Sequence, residues 1–134
     1  MTRFIDSNIF IYVLTEDTNY CKTAKAILHR VEEGEEVTTS TLVLEEVFVF
    51  LEAEKASQKI PEVLDYIRSY PTLRIVPYLP EDMVSAASLL KMVKFKVDWD
   101  DTLITATMKR IGLTEIYSND SHFDIIPGVK RIFQ

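Results

Sequence analysis

The chain is poor in the residues that build most metal and redox sites: 134 residues contain one cysteine, Cys21, and two histidines, His29 and His122. A lone cysteine excludes an internal disulfide, and with so few Cys and His the ligands for a zinc site of the usual Cys/His kind are missing. Any bound metal must therefore be held mainly by oxygen, which points to Mg²⁺ or Mn²⁺. Long apolar runs are also absent. The longest unbroken stretch, Ile9 to Leu14, falls far short of the roughly 20 residues that span a bilayer, which excludes a membrane protein of the helical type. Met1-Thr2-Arg3 leads straight into strand-like sequence, without the charged, apolar and small-residue regions of a secretory signal, so a cytoplasmic protein is expected. Low-complexity tracts and internal repeats are lacking too. The formal net charge of −6 argues against a protein that coats nucleic acid through its general surface. It leaves open a site whose bound cations reverse the local sign.

What is present is a regular alternation of strand-like and helical segments, and the length fits one domain over residues 1–134 with an ordinary core. Arg3 to Asp6 reads as a strand, followed by the Asp6-Ser7-Asn8 turn and a helix from Ile9. Tyr20 to Glu33 carries Ala24, Ile27, Leu28 and Val31 at helical spacing and stops at Gly34. Glu36 to Thr39 reads as a strand, Thr41 to Lys55 and Pro61 to Tyr70 as helices, and Leu73 to Val76 as a third strand. Pro80-Glu81-Asp82 opens a helix running toward Lys94, with proline and acids placed as a helix start prefers. A further helix spans Asp100 to Ile111 and ends at Gly112, before strand-like Glu115 to Ser118 and Lys130 to Phe133. This alternation predicts an α/β fold with a mainly parallel sheet covered on both faces. In such sheets ligands collect beyond the carboxyl ends of the strands, where Asp6 and Asp120 both fall.

Four short acidic motifs stand out against apolar sequence: Phe-Ile-Asp6-Ser-Asn8, Leu-Val-Leu-Glu-Glu46-Val, Asp98-Trp-Asp-Asp101-Thr-Leu-Ile-Thr-Ala and Tyr-Ser118-Asn-Asp120. Asp6 suits a helix N-cap as well as a ligand, and Asn8 can orient a carboxylate or a metal-bound water. Glu46 has Leu42, Val43, Val49 and Phe50 as its helical neighbours and should point inward, whereas Glu45 sits nearer the polar edge. Its ordinary alternative is a partly buried ion pair with Lys or Arg. Asp98, Asp100 and Asp101 include at least one helix-start acid, and periodicity does not choose between Asp100 and Asp101. Trp99 is expected in the core rather than against a base. Asp120 lies in a Ser118-Asn119-Asp120-Ser121-His122 loop whose Ser118 and Asn119 can bind a phosphate or a metal-bound water. His122 is read both as a turn histidine and as a candidate general base. Should the four motif acids meet at about 6 Å, each pair would repel by roughly 3 kcal/mol at an effective dielectric near 20. Six such pairs match the whole stability of a domain, about 5 to 15 kcal/mol, so the cluster must bind cations or protons.

These motifs, in this order and along essentially the whole chain, resemble those of the PIN-domain ribonucleases, specifically the single-domain toxins of VapBC toxin-antitoxin pairs. Met-x-x-Phe-Ile-Asp6-Ser-Asn8 is similar to the family's opening strand and first acid, and Ser40-Thr-Leu-Val-Leu-Glu-Glu46-Val to its second motif. Asp101-Thr-Leu-Ile-Thr-Ala resembles the third, and Tyr-Ser118-Asn-Asp120-Ser-His-Phe123 the fourth. The resemblance implies a three-layer α/β/α sandwich and hydrolysis of RNA phosphodiester bonds with Mg²⁺ or Mn²⁺. It further implies that Asp6, Glu46, Asp101 and Asp120 hold the ions, with Asn8 and Ser118 in support and Asp124 an optional acid. A homodimer and a small antitoxin that blocks the site are the implied partners. Lys91, Lys94 and Lys96, with Lys109 and Arg110, are candidates for steering phosphates, and equally for a solvated face.

Other functions fit less of the sequence. A phosphotransferase using Asp6 as nucleophile needs a second acid two residues on, where Asn8 stands. A solitary RNA-processing nuclease, or a non-catalytic scaffold that keeps its acids for metal-dependent folding, remains as the alternative.

Overall fold

The computed structural model describes residues 2–134, and its short strands assemble into a five-stranded sheet in which every pairing is parallel. The strands are β1 (Arg3–Ile5), β2 (Val37–Ser40), β3 (Leu73–Val76), β4 (Glu115–Tyr117) and β5 (Lys130–Ile132). The helices are α1 (Ser7–Leu14), α2 (Cys21–Glu32), α3 (Thr41–Ala53), α4 (Ile60–Arg68), α5 (Pro80–Met92) and α6 (Trp99–Arg110). Each expected element is present, with ends displaced by a residue or two. α1 begins at Ser7 rather than Ile9 because the Asp6 carboxylate caps the Ser7 amide at 2.8 Å. β2 runs to Ser40, whose hydroxyl then accepts from the Val43 amide at 3.4 Å and turns the chain into α3.

The strand order is β3-β2-β1-β4-β5. The chain moves outward from β1 to β3, then crosses back to β4 on the opposite side of β1. Helices α1 to α4 pack among themselves, while α5 and α6 pack on each other, and with the sheet between them they form an α/β/α sandwich. The reversal of direction falls between β1 and β4, and such a switch point leaves a crevice at the strands' carboxyl ends. Phe4 pairs with Ile116 and Ile5 with Tyr117, so the next residues, Asp6 and Ser118, emerge side by side into that crevice. Phe4, Ile5, Ile9, Phe10, Ile116, Tyr117 and Phe123 are fully buried around it, which gives the polar groups a rigid apolar floor.

Five helices end with the same closure, an amide bonded to the carbonyl five residues earlier: Asp17 to Tyr12 at 3.0 Å, Glu35 to Arg30 at 3.0 Å, Ala56 to Leu51 at 2.8 Å, Phe95 to Leu90 at 2.9 Å and Leu113 to Met108 at 2.8 Å. Each closure turns on a left-handed residue just past the helix. Glycine fills that position at Gly34 and Gly112, whereas Glu16, Lys55 and Lys94 adopt it with φ between 50° and 56°.

The helix pair α5 and α6 is pinned by a buried carboxylate. Asp82 accepts from the Leu79 amide at 2.8 Å, the Thr107 hydroxyl at 3.2 Å and the Arg110 guanidinium at 2.8 and 3.1 Å. Burial alone would raise the Asp82 carboxyl, and these donors, Arg110 foremost, outweigh it and hold the group below the usual carboxylate range. Asp82→Ala is expected to lower stability by about 2–3 kcal/mol, because a charge-assisted hydrogen-bond set disappears and Thr107 keeps no partner. A lower urea midpoint at unchanged m-value would show it.

Candidate metal centre

Each acid reaches the crevice from a different element. Asp6 follows β1 and caps α1, Glu46 lies one turn and a half into α3, Asp101 sits in the first turn of α6, and Asp120 ends the loop after β4 and caps the 3₁₀ turn Ser121–Ile125. The capping and ligand readings of Asp6 are thus compatible: one carboxylate oxygen serves the helix and the other faces its neighbours. That second oxygen accepts from the Ser118 hydroxyl at 2.6 Å and from the Asn8 amide at 3.2 Å.

Ser118 organises this half of the site. Its single hydroxyl proton goes to Asp6, while its lone pairs accept from the Asn8 side chain at 3.2 Å and from the Asp120 amide at 3.0 Å, which fills the bonding capacity of a hydroxyl. Asn8 in turn accepts from the Asn119 amide at 3.2 Å. Asn119 donates to the Tyr12 hydroxyl at 3.1 Å.

The other half is built on α6. Asp101 accepts from the Asp98 amide at 3.2 Å, the reciprocal bond of a helix-start box. The same Oδ2 lies 2.8 Å from Nδ1 of His122. The backbone amide of His122 donates to Asp120 at 2.9 Å, so this residue touches two of the motif acids at once. Asp98 completes a small group: one ligand atom each from Asp98, Asp101 and His122 lie within 4.8 Å of one another. Asp100 also bears on the site, since after burial it is the main group that raises the Glu46 carboxyl. The sequence signal for these extra members was weak. Asp98 and Asp101 stand three apart as a capping box does, and His122 follows Asp120 by two residues in a turn, where histidines are ordinary.

Two expectations need amendment. Trp99 is 39% exposed and is not a core residue; it occupies the first position of α6, where only one side of the helix is covered. Val49, counted among the apolar neighbours of Glu46, is 61% exposed, so the apolar face of α3 is narrower than the sequence implies. Asp124 is held by Arg131 through two bonds of 2.9 Å, and this pairing keeps its carboxyl below the usual range.

The electrostatics are those of negative charge held without counter-cations. Among the described residues no lysine or arginine pairs with Asp6, Glu46, Asp101 or Asp120, and His122 is the one basic side chain beside them. Burial pushes Asp6 up to about 6, against the pull of its Ser118 and Ser7 hydrogen bonds, and Asp120 adds repulsion. Burial likewise pushes Glu46 up to about 9, reinforced by Asp100, Asp6 and Asp101. Asp101 is raised by burial and then by Asp120, with His122 opposing. The partner imidazole is raised in turn, chiefly by its bond to Asp101. Among the described residues, Oε1 of Glu46 is buried with no hydrogen-bond partner. A buried oxygen of this kind, within electrostatic reach of three other carboxylates and facing no fixed cation, suits a divalent ion: an all-oxygen donor set plus one imidazole matches Mg²⁺ or Mn²⁺.

The raised carboxyls fix the sign of a pH effect. Groups whose folded pKa exceeds the unfolded value stabilise the fold at low pH and lose that contribution as pH rises through the folded pKa. In EDTA, stability is therefore expected to fall as pH rises from about 4, near the unfolded carboxyl values, to about 9, where Glu46 ionises. Glu46→Gln, which stays neutral, should raise metal-free stability at pH 9, because no charge is then left buried among the other acids. Thermal melts of both proteins across this range would reveal a flatter profile for the variant.

The chain is similar to known proteins in ways that match this geometry. The family model of the PIN domain matches residues 3–129. None of the curated proteins matches in sequence. Among solved structures, VapC20 of Mycobacterium tuberculosis, described as a sarcin-ricin loop cleaving toxin, superposes with a TM-score of 0.77 at 18% identity, covering 92% of this chain and 93% of that one. VapBC2 from Rickettsia felis, bound to a promoter DNA fragment, gives 0.75 at 18% identity over 98% of both chains. FitAcB from Neisseria gonorrhoeae gives 0.70 at 19% identity over 98% and 96%. The match of the family model over nearly the whole chain, with the acids gathered at the switch point of a parallel sheet, makes this chain a member of the PIN domain family.

Proposed function

We propose that the protein is a metal-dependent ribonuclease that hydrolyses RNA phosphodiester bonds, and that it serves as the toxin of a toxin-antitoxin pair in the cytoplasm. The observation that carries the reading is the unpartnered, buried Glu46 Oε1 in a cluster of acids raised by burial and mutual repulsion. Such a cluster is built to be neutralised by something absent from the chain itself. In this reading Asp6, Glu46, Asp101 and Asp120 hold Mg²⁺ or Mn²⁺, and the ion, when bound, supplies water activation and charge stabilisation at the phosphate.

The chain's own groups do the positioning. Ser118 and Asn8 hold the Asp6 carboxylate, and Ser118 also accepts from the Asp120 amide, which ties the two residues together. His122 meets Asp101 through Nδ1 and Asp120 through its amide, so it is a positioning residue that links two of the acids. Asp124, through Arg131, anchors the 3₁₀ turn that carries His122. A small antitoxin that covers the crevice, and pairing of two copies of this chain, complete the proposal. Support comes from the VapBC complex among the structural neighbours and from the toxin description of VapC20.

Purified protein is expected to cut RNA with Mg²⁺ or Mn²⁺ and to stop with EDTA. Asp6→Asn and Asp101→Asn should each lower turnover by at least about a hundredfold, since even residues behind metal ligands account for 10- to 100-fold. Mg²⁺ should also raise the melting temperature of the wild type. Stabilisation by Mg²⁺ without RNA turnover would instead identify a metal-folded scaffold and overturn the enzyme reading.

A further inference from the structure

The turn after α5 breaks a rule that the rest of the molecule keeps. Of the five helix closures described above, three place an apolar residue at the position whose amide makes the closing bond: Ala56, Leu113 and Phe95. That residue ordinarily packs back on its own helix, and Ala56 and Leu113 do pack against the core. Phe95 does not: it is 69% exposed. Its φ is also +59°, directly after Lys94 at +56°, so two consecutive non-glycine residues hold the left-handed conformation that disfavours any side chain with a Cβ. A large apolar ring is thus kept in solvent by a strained turn three residues before Asp98.

Its surroundings are basic in an otherwise acidic chain. Lys91, Lys94 and Lys96 are all exposed, and among the described residues none of them forms an ion pair. The turn borders a groove of about 290 Å³ in which Lys94 and Lys96, beside Met92 and Val93, face Ile125 and Pro127, at the end of the segment that begins with Asp120 and His122. Exposed aromatic rings interleaved with unpaired cations are the construction that binds single strands: bases stack on the ring and phosphates meet the cations.

Resting on the ribonuclease reading above, we propose that Lys94-Phe95-Lys96 is a platform for single-stranded RNA, with Phe95 stacking on a base and Lys91, Lys94 and Lys96 meeting the adjoining phosphates as the strand enters the acidic crevice. Charge favours RNA over a protein partner: an apolar protein interface would not gather three uncompensated lysines within six residues of a chain whose formal net charge is −6.

The test uses the full chain, Mg²⁺ and a single-stranded RNA oligonucleotide carrying 5-iodouridine. Phe95→Ala should raise KM by about five- to a hundredfold, the range that loss of one stacked base gives, with kcat within about twofold. Phe95→Trp should restore KM, and irradiation should crosslink the oligonucleotide to Phe95, read by peptide mass spectrometry. Lys94→Gln with Lys96→Gln should flatten the dependence of log KM on log salt by about 0.7 per lysine. If the wild type cleaves RNA and Phe95→Ala leaves KM unchanged, the platform is wrong and the ribonuclease reading stands. A crosslink at Phe95 without cleavage would retain the platform and remove the enzyme, while neither cleavage nor crosslink would remove both. A change in oligomeric mass on Phe95→Ala, with KM unaltered, would reassign the ring to a protein interface and overturn the RNA proposal.

Discussion

The architecture at the open end of the sheet depends on confining carboxylates in an apolar crevice with no fixed cation to balance them. Every other feature there answers that constraint. Serine and asparagine donors face Asp6, a backbone amide and an imidazole face Asp101, and the His122 amide faces Asp120. These dipoles and one titratable ring soften the repulsion without abolishing it, which leaves three carboxyls raised. Neutralisation by arginine would have lowered these carboxyls and occupied the free oxygen. The Asp82–Arg110 pair, between α5 and α6, is what such neutralisation looks like in this same chain: there the carboxyl is lowered and every oxygen is used.

The two arrangements divide the molecule's polar interior into parts that hold it together and parts held in readiness. Asp82 ties α6 to α5, and α6 carries Asp101, so the satisfied pair fixes the helix on which an unsatisfied acid stands. On the α2 side, Arg3 bonds Glu35 and Glu115 at 2.9 Å each and helps lock β1 to β4, the strands that present Asp6 and Ser118. Strain at the frustrated end is thus supported by complementary charge further back.

Much of this could be read before any coordinates. Alternating short apolar stretches and capped helices were sufficient for the α/β class, because strand length, helix period and turn residues are local properties. The strand order was not legible: which strand crosses to the far side of β1 is decided by packing of whole helices, and no residue in β3 or β4 encodes it. At the site, the motif acids declared themselves by standing in apolar sequence. Asp98, Asp100 and His122 did not, since a helix start and a turn explain each of them locally, and their convergence needs α6 and the 121–125 turn to meet across the crevice. Trp99 misled because a lone tryptophan reads as core, whereas the first residue of a helix has few neighbours to cover it.

Ser118 decides which parts of the site are joined to one another. Because one hydroxyl bonds Asp6, Asn8 and the Asp120 amide together, the residues leaving β1 and β4 form a single mechanical block fixed to the sheet. Glu46 and Asp101 stand on separate helices and are joined to that block only through space or through an imidazole. The crevice therefore joins a sheet-borne block to two helix-borne acids, of which Asp101 stands on the helix pinned by Asp82 and Glu46 keeps an unbonded oxygen.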